Sequence, residues 1–371
     1  MLKNWALSFI SALLGIVLLE IVVGLMHLDV PGLPEKPKDD WALVPERVWT
    51  EHHPVLGWYH QKQKEAFQRV AAGHEVVLHT NSAGFRGLRE YTQETPENIM
   101  RLVVLGDSFV FGFGVEDSEC LTALLEAKHP DLEVINLGVA GFGVDQFLIT
   151  FRTIAKDYHA DYVFIGLYQE DFWRATRAFA DSGHAKPYFS LNPHGELILH
   201  NVPVPQPFEL KTNQFPEVVH RSFLERFLMK SSIYRILKRG YVRMAKNLRL
   251  IDPDSTEEWI LGKAILRQLI HEIRTAGAQP VLFTVPHKDW AMETRVTSLE
   301  RSILRFAQKE KADLLDMTPA FHEAVGKSGV TDYYIQDDWH WTPKGNALAA
   351  ELIEKYLINQ GVLLQETPVL A

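Results

Sequence analysis

A serine hydroxyl is a poor nucleophile until a neighbouring base takes its proton. The stretch RLVVLGDSFVFGFGV, residues 101–115, ends a short apolar run in Gly106-Asp107-Ser108 and so raises that possibility for Ser108. Far downstream, DDWHWTPKG carries His340 behind two carboxylates, Asp337 at i−3 and Asp338 at i−2. Serine, histidine and aspartate together are the parts of an acyl-transfer site: the carboxylate holds the ring in the right tautomer and the ring accepts the serine proton. The spacing favours Asp337, because one turn lets its side chain fold back on the ring, with Asp338 close behind. Negative charge developing on a carbonyl oxygen needs aimed donors. The backbone N–H groups of Ser108 and of Gly138, in NLGVAGFG, are available for this, and glycine leaves room for close approach.

These residues have to be positioned, and the pattern around them says how. From residue 101, short continuous apolar runs (RLVVLGD, LEVINLG, ADYVFIGLY, QPVLFTVP, ADLLDMT) alternate with amphipathic helical stretches, the last from about Asn346 to Leu357. That grammar predicts a parallel sheet covered by helices on both faces, a three-layer α/β/α domain. Ligands of such sheets sit beyond the C-terminal ends of the strands. GDS, NLGVAGFG and GLYQED end the first three strands and DDWHWTPKG precedes the last helix, so all four converge on one edge.

Composition sets limits. The chain of 371 residues is 46% apolar and 23% charged, which suits a folded protein. A net charge of −9 gives no basic surface for nucleic acid. With Cys120 as the single cysteine there is no intrachain disulfide and no cysteine-based metal site. His52 and His53 adjoin without a third convergent ligand, so no metal is assigned, and no cofactor is expected.

The N-terminal run from about Trp5 to Leu28 is apolar apart from Ser, Gly, His27 and Glu20. A helix needs about 20 residues to span a bilayer, so residues 1–28 are expected to form a transmembrane anchor. Lys3 before it and Asp29 and Glu35 after it orient the bulk of the chain outside the cytoplasmic membrane, facing the periplasm if the cell is Gram-negative. The expected organisation is then a linker at 29–50, a domain at 51–362 and a tail at 363–371. The domain core covers 101–171 and 255–362, with an insertion at 172–254. The insertion opens with a hairpin about NPHG and continues through residues 221–249, where nine Lys/Arg meet one Glu. That segment reads either as a helical cap over the site or as a surface set against anionic lipid or charged glycan.

With these motifs in order, the chain resembles the SGNH/GDSL hydrolases. Within them it looks like the membrane-anchored bacterial subset related to the AlgX/AlgJ-like acyltransferases of polysaccharide modification. The resemblance covers residues 50–362 in outline and includes HTNSAGFRG and HWTPKGN. It implies a nucleophile at Ser108, an oxyanion glycine at Gly138 and an Asp-x-x-His block at Asp337–His340; relatives with Asp-x-His select Asp338 instead. One block departs. Where the family keeps Gly-x-Asn-Asp, this chain has GLYQED, with Glu170 in the place of the Asn whose amide donates to the oxyanion. An ionised carboxylate only accepts hydrogen bonds. Gln169 supplies the amide if the loop is shifted by one residue; otherwise Glu170 points away or meets substrate.

Asp107 is expected to anchor the nucleophile loop. Asn81 and Arg86 brace the site, bind substrate or form a structural turn, and His287 is a candidate for its rim. Tyr168, Trp173 and Trp339 either offer faces for a sugar ring or pack into the core. The expectation is a serine esterase or O-acyltransferase acting through an acyl-enzyme at Ser108. Its substrate would be an ester or acylated saccharide or lipid of the cell envelope, with envelope acyl-transfer partners. The rival is a non-catalytic glycan-binding scaffold on the same fold.

Overall fold

The computed structural model describes residues 11, 14–23, 48–70, 75–180, 182–206, 218–219, 222–228, 230–247, 253–292 and 298–364. The chain enters the domain through two antiparallel hairpins. Strand β1 (Thr50–His53) pairs with β2 (Gly57–His60), and β3 (Glu65–Arg69) with β4 (Glu75–His79). In β4 the alternation seen in HEVVLHT buries Val76 and Leu78 and turns Glu75 out, as period-two patterning requires.

The central sheet follows. Strands β5 (Met100–Gly106), β6 (Leu132–Gly138), β7 (Tyr162–Leu167), β10 (Gln279–Thr284) and β11 (Asp313–Leu315) form a five-stranded sheet in the order β11-β10-β7-β5-β6, every pairing parallel. Between β7 and β10 the insertion contributes the hairpin β8 (Tyr188–Leu191) and β9 (Leu197–His200). Its turn is held by the Asn192 carboxamide oxygen, which accepts from the N–H groups of His194 and Glu196.

Helices α1 (Ser108–Phe111), α2 (Leu121–Lys128), α3 (Val144–Thr153), α4 (Gln169–Arg174), α5 (Phe223–Leu228), α6 (Ser232–Asn247), α7 (Glu257–Thr275), α8 (Lys288–Met292), α9 (Ser298–Glu310), α10 (Thr318–Ser328) and α11 (Pro343–Asn359) connect and follow these strands. Strand β5 shows why both faces must be covered. Val103 and Leu105 pack into one layer with Phe147, Ile265, Leu269 and Phe306 of α3, α7 and α9. Leu102 and Val104 pack into the other with Leu121, Phe321, Ile353 and Leu357 of α2, α10 and α11. All four strand residues are fully buried, each worth about 1.5–3 kcal/mol of apolar transfer. The sheet centre is therefore the rigid floor from which the loops at its C-terminal edge project.

The N-terminal expectation is corrected. Residues 14–23 are helical, and no helix among the described residues is long and apolar enough to cross a membrane. Glu20, which a span would carry into lipid, instead caps the start of α6. Its carboxylate accepts from the Ser231 hydroxyl at 2.8 Å, from the Ile233 N–H at 3.2 Å and from the Ser232 N–H. The anchor, the membrane partner and the location drawn from it are withdrawn on this finding. Residues 1–10, 12–13 and 24–28 of the expected span and most of the 29–50 linker lie outside the described residues. The basic helix pair α5–α6 makes its described ion pairs with acids of this chain: Lys238 meets Glu225 at 2.5 Å and Glu257 at 3.9 Å.

His60 ties the first hairpin to the helix that begins at Ser108. Its ring lies 4.8 Å from Phe111 and 5.1 Å from Tyr59, and its Nδ1–H donates to the Gly84 carbonyl at 2.9 Å. Burial drives its pKa down to about 4, the Gly84 bond opposing and the Arg86 charge reinforcing the shift. The unfolded chain therefore binds the His60 proton more tightly, with an ordinary pKa of about 6.5. Stability should fall as pH drops from about 6.5 through 4, by up to about 3 kcal/mol from this group. Urea midpoints across that range, for wild type and His60→Asn, check this: the acid-side slope should be shallower in the variant.

Candidate active site

The site begins where β5 and β6 end. Gly106 and Gly138 are paired in register, and α1 lies directly on them. A Cβ at Gly106 would meet Val110 Cγ2 at 2.3 Å, and one at Gly138 would meet the Phe111 nitrogen at 2.3 Å and the Val110 carbonyl carbon at 2.6 Å. Only glycine allows this approach. It places Ser108 at the helix N-terminus, where backbone N–H groups have no intrahelical acceptor. Asp107 caps the turn, one carboxylate oxygen accepting from Phe109 N–H at 3.0 Å.

The second half arrives from the other end of the chain. Trp341 is 1% exposed, wedged 5.0 Å from both Phe109 and Phe321. Thr342 caps α11, its hydroxyl accepting from Gly345 N–H at 3.2 Å, and Pro343 opens the helix, a favoured N-terminal pattern. With Trp341 anchored inward, His340 faces Ser108 and Trp339 points out, 58% exposed. His340 Nε2 lies 2.8 Å from Ser108 Oγ, and Nδ1 lies 2.6 Å from Asp338 Oδ1. Phe109 and Phe113 flank the imidazole at 5.0 and 4.4 Å. With Nδ1 protonated and donating to Asp338, Nε2 turns its lone pair toward the serine hydroxyl.

The carboxylate that meets the His340 ring is Asp338 rather than the favoured Asp337. The segment is a turn, not a helix, so one-turn spacing does not apply. Asp337 sits at φ +58° with its side chain exposed. Asp338 donates its N–H to the Ile335 carbonyl at 3.1 Å, and its Oδ1 accepts both the ring and the backbone N–H of His340, the latter at 2.9 Å. Burial pushes its carboxyl up, but the hydrogen bonds from His340 and the ring's charge outweigh this and hold the pKa at about 2. Lys288, in α8, clamps the same turn from the end of β10 by donating to the carbonyls of Asp338 and Ile335 at 3.1 and 3.4 Å.

The oxyanion side differs from expectation. The Gly138 N–H is spent on Asn136 Oδ1 at 3.0 Å, while the Asn136 amide donates to Val110 O and Thr122 Oγ1. Gly138 therefore serves close packing of α1. Gly141, three residues on at φ +79°, lines a cavity of about 400 Å³ together with Trp49, Trp58, Arg174, Arg177 and Phe179. Gln169 opens α4, half-buried. Glu170 turns outward and pairs with Arg174 at 3.3 Å. Asp171, fully buried, accepts from Tyr168 N–H at 2.9 Å and from Arg174 at 2.8 Å.

Of the aromatic residues, Tyr168 is 3% exposed and stacked between Phe109 at 4.9 Å and His287 at 5.9 Å, so it has no open face. Trp173 carries the Arg177 guanidinium on one face at 4.2 Å. Trp339 stacks on His287 at 6.1 Å and forms the open rim beside His340. Asn81 organises a turn by accepting from Ala83 and Phe85, and Arg86 braces α1 from behind, 4.8 Å over the Phe111 ring and bonded to Asp117. His52 and His53 bond the Val204 carbonyl and the Val55 and Leu56 amides. Arg174 and Lys288 were not singled out from sequence. Glu170 and Asp171 stand at i−4 and i−3 from Arg174, a helical ion-pair spacing that could have revealed it.

No family model matches this sequence, and no curated protein matches it. The expected place in the AlgX/AlgJ-like membrane-anchored subset therefore has no support and is withdrawn along with the N-terminal span. Among solved structures, that of TesA aligns over 71% of this chain and 100% of its own at 17% identity and TM-score 0.41. LAE5, described as an alpha/beta hydrolase from the metagenome of Lake Arreo, Spain, aligns over 72% and 97% at 15% identity and TM-score 0.41. Axe2, an acetylxylan esterase from Geobacillus stearothermophilus, aligns over 69% and 93% at 14% identity and TM-score 0.40. Likeness at this level transfers no activity or substrate to this chain.

Replacing Gly138 by alanine should displace α1 from the sheet end and cost about 1–3 kcal/mol, the usual range for overpacking. A chemical-denaturation midpoint equal to wild type would show that α1 is free to move there.

Proposed function

We propose that the protein is a serine esterase of the SGNH/GDSL type, acting on an ester-linked acyl group through an acyl-enzyme at Ser108. The observation that carries the reading is the continuous chain Asp338–His340–Ser108, at 2.6 and 2.8 Å, at the C-terminal edge of the sheet. Ser108 Oγ attacks the ester carbonyl while His340 Nε2 takes its proton, and Asp338 stabilises the imidazolium. The carbonyl oxygen becomes an oxyanion beside the Ser108 N–H. Gly141, in the loop after β6, replaces Gly138 as the second backbone donor in this reading. Collapse of the intermediate breaks the bond to the alcohol, which leaves with the proton from His340. Water, activated by the same ring, then attacks the acyl-enzyme and frees the acid and Ser108. A sugar hydroxyl in place of that water would make the second step an O-acyl transfer.

Fluorophosphonate labelling tests the nucleophile. The wild-type protein should incorporate one label at Ser108 and Ser108→Ala none; absence of label from the wild type, with short-chain aryl esters left intact, would sink the proposal.

The two aspartates should separate cleanly. Asp338→Asn should lower kcat by about 10³–10⁴-fold, as loss of the tautomer-fixing carboxylate does elsewhere, while Asp337→Asn should stay within about threefold of wild type. With its pKa held at about 2, Asp338 stays ionised above about pH 4, so Asp338 should add no inflection of its own to the rate profile above that pH.

A further inference from the structure

One side chain ties together three of the loops that build this site. Arg174, the last residue of α4, has its side chain 15% exposed. Its Nη1 donates to Asp107 Oδ2 at 2.9 Å, to Asp171 Oδ1 at 2.8 Å and to the Phe142 carbonyl at 3.2 Å. Those acceptors belong to the segments that follow β5, β7 and β6, the second of them being α4 itself. Its Nη2 reaches Glu170 at 3.3 Å. Asp107 precedes Ser108, and its other oxygen caps the Phe109 amide, so the residues on both sides of the serine are fixed by a carboxylate that Arg174 holds.

We propose that Arg174 is the positioning residue of this site, which locks the nucleophile turn through Asp107. Glu170, where an oxyanion amide was expected, serves as its outer counter-ion. This rests on the reading of Ser108 as nucleophile. It also explains how a carboxylate is accommodated at that position: Glu170 is turned toward Arg174, not toward the serine.

The charges around Arg174 make the idea testable. Asp107 faces it from the nucleophile turn, and Glu170 and Asp171 from its own helix. The buried Lys186–Asp145 pair lies behind it, with Lys186 Nζ donating to the carbonyls of Arg174 and Arg177, the latter also a cation, at 3.2 Å. Burial first, and Asp107 second, push the Asp171 carboxyl up, with Arg174 opposing. Without the guanidinium, nothing opposes the upward push on the Asp171 carboxyl, and once rising pH ionises it, its buried charge meets that of Asp107 across the turn with no cation between them.

The experiment measures fluorophosphonate labelling of Ser108 from pH 5 to 9 in the full chain. The proteins are wild type, Arg174→Lys, Arg174→Met and Arg174→Ala, with thermal midpoints taken alongside. The expected result is labelling slowed about 100-fold in Arg174→Met, the scale of a misplaced reacting group. The defect should grow with pH, be smaller in Arg174→Lys, and be partly restored in Arg174→Ala by added guanidinium ion at sub-denaturing concentration. Labelling at wild-type rate in all three variants overturns the proposal. So does a defect that is flat with pH, unrelieved by guanidinium and proportional to loss of thermal midpoint, since that is the mark of a purely structural residue. If Arg174→Met does not fold, Arg174→Lys decides by the same criteria. Failure of the wild type itself to label removes the underlying reading of Ser108 instead, so the two failures are distinguishable.

Discussion

The hydrogen bond between Ser108 and His340 joins residues 232 positions apart, and the rest of the architecture can be read as what that bond requires. A contact of 2.8 Å between distant segments tolerates little play on either side. The serine side is held by a parallel sheet buried on both faces, whose end carries α1 on two glycines. The histidine side is held by Trp341, sunk between Phe109 and Phe321, and by a capped helix that starts at Pro343. Phe109 touches both halves: it follows Ser108 and packs against His340 and Trp341.

Charge at the site is organised around carboxylates that are never left alone. Asp338 is satisfied by the imidazole and a backbone amide, while Asp107 and Asp171 are satisfied by Arg174 and backbone amides. Buried ions without such partners cost several kcal/mol each. The deeper Lys186–Asp145 pair repeats the pattern one layer down and links the insertion to α3. The price of this arrangement is conformational freedom, because loops tied by one guanidinium cannot move independently.

Two expectations gave way to local geometry. Asp337 was favoured by helical periodicity, but the segment is a turn with a left-handed residue at that very position, which sends its side chain outward and sets Asp338 on the ring. Gly138 was assigned to the oxyanion because its N–H was taken as available and glycine leaves room for close approach, but its amide is consumed by Asn136 two residues earlier. The N-terminal run was long and apolar enough on paper. Yet Glu20, its single carboxylate, is bound to the amides that start α6, a contact across more than 200 residues that no hydropathy window registers.

Strand order along the chain, the two-faced burial of the sheet and the convergence of GDS, NLGVAGFG, GLYQED and DDWH on one edge were legible from residue pattern. Apolar periodicity and turn chemistry are local properties, and parallel topology follows from them. The identity of the supporting aspartate, the engagement of the Gly138 amide, the outward turn of Glu170 and the three-way grip of Arg174 were not. Each depends on where a polar group finds a partner once the chain is folded, and that choice is made among atoms brought together by packing rather than among neighbours in sequence.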